Sequence, residues 1–328
     1  VLLDEVVDAL KPRDGALYID ATFGAGGYSC ALLDAANCRV LALDRDEAAV
    51  RAAEAITPQY ANRLEVICAP FSQMAEVARV FLNRDGESKP VFVQGVMFDV
   101  GVSSMQIDQP ERGFSFQADG PLDMRMGQSG PTAADIVNTW REAAIADVLY
   151  HYGEERRARH IARAIVQRRA ERPFVRTRDL AGLVQRVLKT PKIDGRHAAT
   201  RTFQALRIAV NDELGELAMG LSAAETLLAP GGWLAVVTFH SLEDVIVKRF
   251  LRARSGREAG TSRHLPAAQE SDVTPSFAVS PGKPIVPSDD EIASNPRARS
   301  ARLRTAIRTD APPHAIDRMA LGLVEISP

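Results

Sequence analysis

Asp20-Ala-Thr-Phe-Gly24-Ala-Gly26-Gly27-Tyr28 is the stretch whose reading decides the fold. It follows an apolar run at residues 17–21 that reads as a strand, and it leads into a helix predicted from about residue 28 to residue 36. Glycines at such a junction let the backbone approach a ligand closely and aim helix N-terminal amides at it. A purely structural glycine turn has the same composition. Outward from this motif, strand and helix signals alternate. A second strand is predicted at 39–44 (RVLALD), a helix at 46–56 closed by Pro58, and a third strand at 64–69. A helix from about 73 to 82 leads through the turn-rich residues 83–90 to a fourth strand at 91–99. Short strands separated by helices predict a parallel sheet with covering helices.

The rhythm then changes. Residues 101–130 are rich in Gly, Pro, Met and Asp, and no strand signal follows for about a hundred residues. Helical spacing is read instead at 132–138, 141–150, 154–170, 177–188 and 198–228. The strand pattern returns at 233–239, followed by a helix at 242–252, a Pro/Ser/Gly-rich stretch at 255–295 and a last strand at 300–308. The economical architecture is a Rossmann-like α/β core in two pieces, residues 1–104 and 206–328, interrupted by an all-helical insertion at 105–205.

Composition excludes several classes. The chain has 328 residues, 46% hydrophobic and 25% charged, which rules out disorder, collagen and small disulfide scaffolds. A net charge of −2 announces no global field for nucleic acid. Cys30, Cys38 and Cys68 lack zinc-site spacing, no apolar run approaches the roughly 20 residues that span a bilayer, and no signal pattern opens the chain. A reduced, cytoplasmic protein without a membrane partner is expected. The chain opens on Val1 rather than Met, so a short leader is expected ahead of it.

Asp44 ends the second strand about 20 residues beyond Gly24, where an acidic side chain can accept from ribose hydroxyls. A dinucleotide fingerprint would read G-x-G-x-x-G. Here the sixth position is Ser29, and Asp20 stands where a pyrophosphate would be repelled. S-adenosylmethionine carries no phosphate; its amino group suits a carboxylate and its own carboxylate suits exposed amides. It is favoured over a nicotinamide cofactor, and the absence of Gly-Lys-Ser/Thr excludes a P-loop. Asp99 ends the fourth strand and is expected to face the same crevice, unless it merely caps the next turn. Phe71, after the third strand, is a candidate adenine contact. His240, in Thr238-Phe-His-Ser-Leu-Glu-Asp244, is a candidate base or hydrogen-bond partner, while Ser241 reads equally as a helix cap. His151, His160, His197, His264 and His314 show no ligand spacing, so no metal is expected. Arg156, Arg157, Arg159, Arg163, Arg168, Arg169, Arg172, Arg176 and Arg178 form a local basic excess, and Arg297, Arg299, Arg302 and Arg304 form a second. Such clusters bind phosphates or simply solvate a helix face; two of them favour RNA as substrate.

With these residues in view, a family resemblance covers nearly the whole chain. VLLDEVVDAL (1–10), DATFGAGGYS (20–29), DVGVSS (99–104), ERGFSFQADGPLDMRM (111–126), YGEERRARHIARAI (152–165), ATRTFQALRIAVNDEL (199–214), FHSLED (239–244) and NPRARSARL (295–303) occur in the order of the bacterial ribosomal RNA small-subunit methyltransferase H family, which the chain resembles. The resemblance implies S-adenosylmethionine-dependent methylation of the exocyclic N4 of a cytidine in the decoding region of 16S ribosomal RNA. It also implies a methyltransferase core with a helical domain that helps hold the RNA. By motif it assigns Gly26, Gly27, Tyr28, Asp44, Phe71, Asp99 and Gln106 to the cofactor, and Gly24 joins them from the glycine turn. Two departures stand out: the family commonly has Arg-Gly-Gly-His where this chain has Ala25-Gly26-Gly27-Tyr28, and the His-x-Pro that precedes the opening valine is absent. Many amino methyltransferases carry Asp/Asn-Pro-Pro-aromatic after the fourth strand; this chain has Asp-Val-Gly-Val-Ser-Ser. Asp99 or the Ser103–Ser104 loop is therefore expected to accept from N4, with His240 nearby. The target base must leave its stack, which favours an irregular RNA region. The alternatives are methylation of another RNA, a protein or a small molecule, a nicotinamide-dependent enzyme, and a non-catalytic RNA-binding module. The sequence is compatible with a homodimer as well as a monomer.

Overall fold

The computed structural model describes residues 1–83, 91–193, 196–256, 274–279 and 283–328; the turn-rich residues 84–90 and His264 lie outside the described residues. Seven strands form the principal sheet: β1 (Leu17–Asp20), β2 (Arg39–Asp44), β3 (Leu64–Cys68), β4 (Val93–Asp99), β5 (Leu228–Thr238), β6 (Phe277–Val279) and β7 (Arg302–Arg308). They lie in the order 3-2-1-4-5-7-6. β1 to β5 run parallel, and β7 is antiparallel to both β5 and β6. Val40–Leu43 in β2 and Val96–Phe98 in β4 are buried as unbroken runs, because helices cover both faces of a parallel sheet. β1 sits between β2 and β4, so the winding reverses there. In open α/β sheets ligands occupy the crevice beyond the strand carboxyl ends at such a switch point. Asp20, Asp44 and Asp99 close β1, β2 and β4.

The chain divides into two units, residues 1–101 with 214–323 and residues 102–213 with 324–328. The divisions expected from the sequence lie at 104/105 and 205/206. The second of those would cut the helix Thr200–Asn211. The helical signal expected to run from 198 to 228 is two helices, Thr200–Asn211 and Glu213–Leu227, broken at Asp212 in the left-handed conformation (φ 46°). In the first unit, Val6, Leu10, Tyr18, Leu32 and Val237 are among the residues that pack one apolar cluster. In the second, Ile136, Leu149, Ile161, Phe174, Leu180 and Phe203 belong to another.

Four further differences have local causes. The insertion is not strand-free: Lys192–Ile193 and Arg196–His197 pair as a two-residue hairpin, too short to give an alternating pattern. β5 begins at Leu228, not 233, because the register slips through Ala229-Pro-Gly-Gly232 before regular pairing with β4 resumes at Trp233. The stretch at 255–295 contains β6 and a helix at Asp289–Ser294 capped by Ser288. The helix expected to close at Pro58 ends at Ala53, and a 3-10 segment follows over Thr57–Arg63.

Candidate active site

In the first unit, the amides that leave β1 are held by both neighbouring strands. The Ala21 amide donates to the Met97 carbonyl at 2.9 Å and the Phe23 amide to the Leu43 carbonyl at 2.8 Å. Gly24 and Gly26 then adopt left-handed φ values of 54° and 79°, which glycine alone accepts without steric cost. A Cβ at Gly26 would meet Phe23 Cζ at 2.8 Å, whereas one at Gly27 would meet nothing within 4 Å. Gly27 opens the helix Gly27–Ala35, so its face of the turn is open to a ligand at a helix N-terminus.

Each strand-end acid is engaged differently. Asp20 is fully buried; Oδ1 accepts from the Thr22 amide at 3.1 Å and Oδ2 from the Ser29 hydroxyl at 2.7 Å. Burial pushes its carboxyl up to about 6 against the opposing effect of those hydrogen bonds. Asp44 accepts from the Gly24 amide and the Asp46 amide, each at 2.8 Å, and burial raises its pKa. Asp44 therefore fixes the glycine turn while each oxygen keeps a second lone pair. Asp99 differs from both. Its amide donates to Thr22 Oγ1 at 2.6 Å, while its buried Oδ1 has no hydrogen-bond partner among the described residues. Burial pushes the Asp99 carboxyl up to about 7, with the Val1 ammonium opposing it and the carboxylates of Asp20 and Glu243 adding to it.

Phe71 stands edge-on to Phe98 with ring centroids 5.5 Å apart. It also lies over Gly220, where a Cβ would be 2.6 Å from the Phe71 ring. The Tyr28 side chain is buried, its hydroxyl donates to the Val1 carbonyl, and burial raises its pKa strongly. His240, rather than Ser241, caps the helix Ser241–Arg254. Its Nδ1 accepts from the Glu243 amide at 3.4 Å, and Nε2 lies 2.9 Å from Glu243 Oε1 without a hydrogen bond between the two atoms. Glu243 Oε2 accepts in turn from the amides of Phe239 and His240, at 2.8 and 3.2 Å. Both ring nitrogens thus face the first turn of the helix. Asp244, in the first turn of that helix, binds Arg302 at 3.0 Å and Arg304 at 2.7 Å.

Ser103 and Gln106 belong to the second unit, where they form a capping box at the start of Ser104–Asp108. The Ser103 hydroxyl accepts from the Gln106 amide at 3.2 Å, and Gln106 Oε1 accepts from the Ser103 amide at 3.0 Å. In the same unit, much of the arginine cluster is engaged by the fold. Arg169 donates to the carbonyls of Val137 and Trp140, Arg176 pairs with Asp119, and Arg168 bonds the Arg172 carbonyl over the Phe174 ring. Arg156 and Arg159 remain exposed on or beside the helix Ala158–Glu171, and Arg163, also exposed, lies 3.6 Å from Glu142. The motif reading did not single out Thr22 or Glu243, nor Ser29's bond to Asp20. Ser29 had a signal, as the residue replacing a fingerprint glycine, and S-x-x-Q at 103–106 is a readable capping box.

Comparison with known proteins places this geometry in context. The model of the MraW methylase family matches residues 1–309. The ribosomal RNA small subunit methyltransferase H of Rhodospirillum centenum is 58% identical over 312 residues, covering 95% of this chain and 92% of that protein. The corresponding protein of Paramagnetospirillum magneticum is 56% identical over 312 residues, covering 95% and 96%. An rRNA methylase of known structure from Streptococcus thermophilus aligns over 94% of this chain and 93% of that one, with a TM-score of 0.40 and 9% identity.

Proposed function

The chain belongs to the MraW methylase family, and on that premise we propose that it transfers a methyl group from S-adenosylmethionine to the exocyclic N4 of a cytidine in the decoding region of 16S ribosomal RNA. The single observation that carries the site assignment is the buried Asp99 Oδ1 at the end of β4 beside the glycine turn, which has no hydrogen-bond partner among the described residues. A buried carboxylate oxygen left without a donor is costly unless a ligand supplies one.

The donor set fits the cofactor. Its ammonium and sulfonium groups are cationic, and the acids Asp20, Asp44 and Asp99 make the strand ends favourable for positive charge. Gly24, Gly26 and Gly27 offer backbone approach, Asp44 a ribose acceptor, and Phe71 an apolar face for adenine. Tyr28 contributes through its backbone, since its side chain is committed to Val1. The family resemblance adds Gln106. When bound, S-adenosylmethionine supplies an electrophilic methyl group.

A cytosine amine is a poor nucleophile because its lone pair is delocalised into the ring. Asp99 accepts a hydrogen bond from N4, turns the lone pair toward the methyl carbon and draws off the proton as positive charge develops. A carboxyl whose pKa lies near neutrality suits that exchange. His240 is assigned to holding the strand end rather than to receiving the proton, because its Nδ1 accepts from the Glu243 amide as the cap of the helix Ser241–Arg254. Arg156, Arg159 and Arg163 hold RNA phosphates. An enzyme with this substrate works in the cytoplasm, and among the described residues no helix is long and apolar enough to cross a membrane.

The test is incubation of the purified protein with methyl-labelled S-adenosylmethionine and small ribosomal subunits that lack the modification, followed by nuclease digestion and mass spectrometry. Label in N4-methylcytidine is expected. Label in another nucleoside, or only in protein or small molecules, would overturn the assignment.

A further inference from the structure

We propose that Thr22 is a positioning residue for methyl transfer, fixing the Asp99 backbone to the glycine turn so that the carboxylate is held where its reactant will lie. The inference rests on the functional reading above and concerns a residue outside the cofactor set. Thr22 is the only residue of the turn that uses both its backbone and its side chain to join two strand-end acids, among the described residues. Its amide donates to Asp20 Oδ1 at 3.1 Å, and its Oγ1 accepts from the Asp99 amide at 2.6 Å.

The connection extends in both directions. The next amide in β4's continuation, that of Val100, donates to Val237 in β5 at 3.0 Å, so at Asp99 the chain turns its amide toward β1 and at Val100 toward β5. Without Thr22 Oγ1 the Asp99 amide would lose the acceptor that joins it to the glycine turn. On the other side, Asp20 is tied through Oδ2 to the hydroxyl of Ser29 in the first turn of Gly27–Ala35. A chain of three hydrogen bonds, Ser29 to Asp20, Thr22 to Asp20, and Asp99 to Thr22, thus links the start of that helix to the residue assigned to N4. The hydroxyl of Thr22 is an acceptor in this arrangement, so serine can replace it and valine, of the same shape, cannot.

The test compares Thr22→Val with Thr22→Ser by three readouts. Turnover on undermethylated small subunits is measured against the KM for S-adenosylmethionine, S-adenosylhomocysteine binding is measured by calorimetry, and hydrogen exchange of the Asp99 amide is followed by NMR or mass spectrometry. Thr22→Val is expected to lower kcat about 10- to 100-fold, the scale of a small misplacement of a reacting group, with binding changed less than about threefold. It should also lose protection of the Asp99 amide. Thr22→Ser should keep both the protection and a kcat within about threefold of the parent. Equal turnover in Thr22→Val, or equal impairment in Thr22→Ser, would overturn the proposal. Should the valine variant fail to fold, Thr22→Ala replaces it against the same serine standard. If the parent protein itself forms no N4-methylcytidine, the functional reading fails. Amide exchange still decides whether Thr22 holds Asp99: unchanged protection in Thr22→Val refutes that hold.

Discussion

Replacing Gly27 by alanine separates the stability of the glycine turn from its use. The position lacks a left-handed φ, and a Cβ there meets nothing within 4 Å. It is also the first residue of a helix. Alanine should therefore fold without strain and stabilise the protein by about 0.4–1 kcal/mol through the lost entropy of the unfolded chain. That corresponds to a rise in melting temperature of roughly 1–4 °C. The same methyl occupies the space in front of the helix N-terminal amides, so binding of S-adenosylhomocysteine should weaken at least about tenfold, or 1.4 kcal/mol. Gly26→Ala supplies the contrast. Its φ of 79° and the 2.8 Å approach to Phe23 Cζ combine a left-handed alanine, at about 1–2 kcal/mol, with overpacking, at about 1–3 kcal/mol. It should lose both stability and binding. Differential scanning fluorimetry and calorimetry on the two variants measure both quantities. Normal binding in Gly27→Ala, or destabilisation matching that of Gly26→Ala, would refute the claim that the open side of the turn receives the cofactor.

Three more outcomes follow from the charges. Burial raises the Asp20 and Asp99 carboxyls, so the folded chain retains protons that the unfolded chain has released; their contribution to stability falls as pH rises from about 4 to about 7. Asp99→Asn should accordingly melt higher than the parent at pH 8, by on the order of 2–4 kcal/mol, and nearly equally at pH 4, as read from thermal melts at both values. Ser29→Ala removes the donor to Asp20 Oδ2 and should cost about 1–3 kcal/mol in urea unfolding; a neutral result would remove Ser29 from the frame of the site. Burial alone would raise the Asp244 carboxyl, but the Arg304 and Arg302 guanidiniums hold it below the usual range, so its stabilisation is present above about pH 4 and is lost as pH falls through the lowered value. Asp244→Ala should cost about 1–3 kcal/mol at pH 7, less than a fully buried pair because Arg302 is half exposed, and the loss should shrink in acid.

The parallel half of the sheet was readable because its strands are buried on both faces and bounded by glycine, proline and aspartate. RVLALD at 39–44 became β2 without a change of boundary. The three strand-end acids followed from the same pattern, since a sheet of this type puts its strand carboxyl ends on one edge. What escaped was set by tertiary partners. His240 does not carry the short oxygen side chain by which N-caps are recognised, so from the sequence a cap is one of two equal readings of Ser241; the imidazole takes the cap in the fold because Glu243 is three residues on. Thr22 bonds a residue 77 positions away, and no local pattern encodes that distance. The arginines of 154–178 look alike in sequence, yet Arg169 ties off a neighbouring helix while Arg159 faces solvent. Local spacing indicates which arginines share a helix face, but not which carbonyls lie within reach.

The central claim is that Asp99 directs methyl transfer to a cytidine N4. Its most direct test is the nucleoside product formed by the parent protein and by Asp99→Asn on undermethylated small subunits, with S-adenosylhomocysteine binding measured on both. The account predicts N4-methylcytidine from the parent, and less than about a tenth of that rate from Asp99→Asn at saturating S-adenosylmethionine. N4-methylcytidine formed by Asp99→Asn at the parent's rate, or a methyl group on a ring carbon or a ribose oxygen, would contradict it.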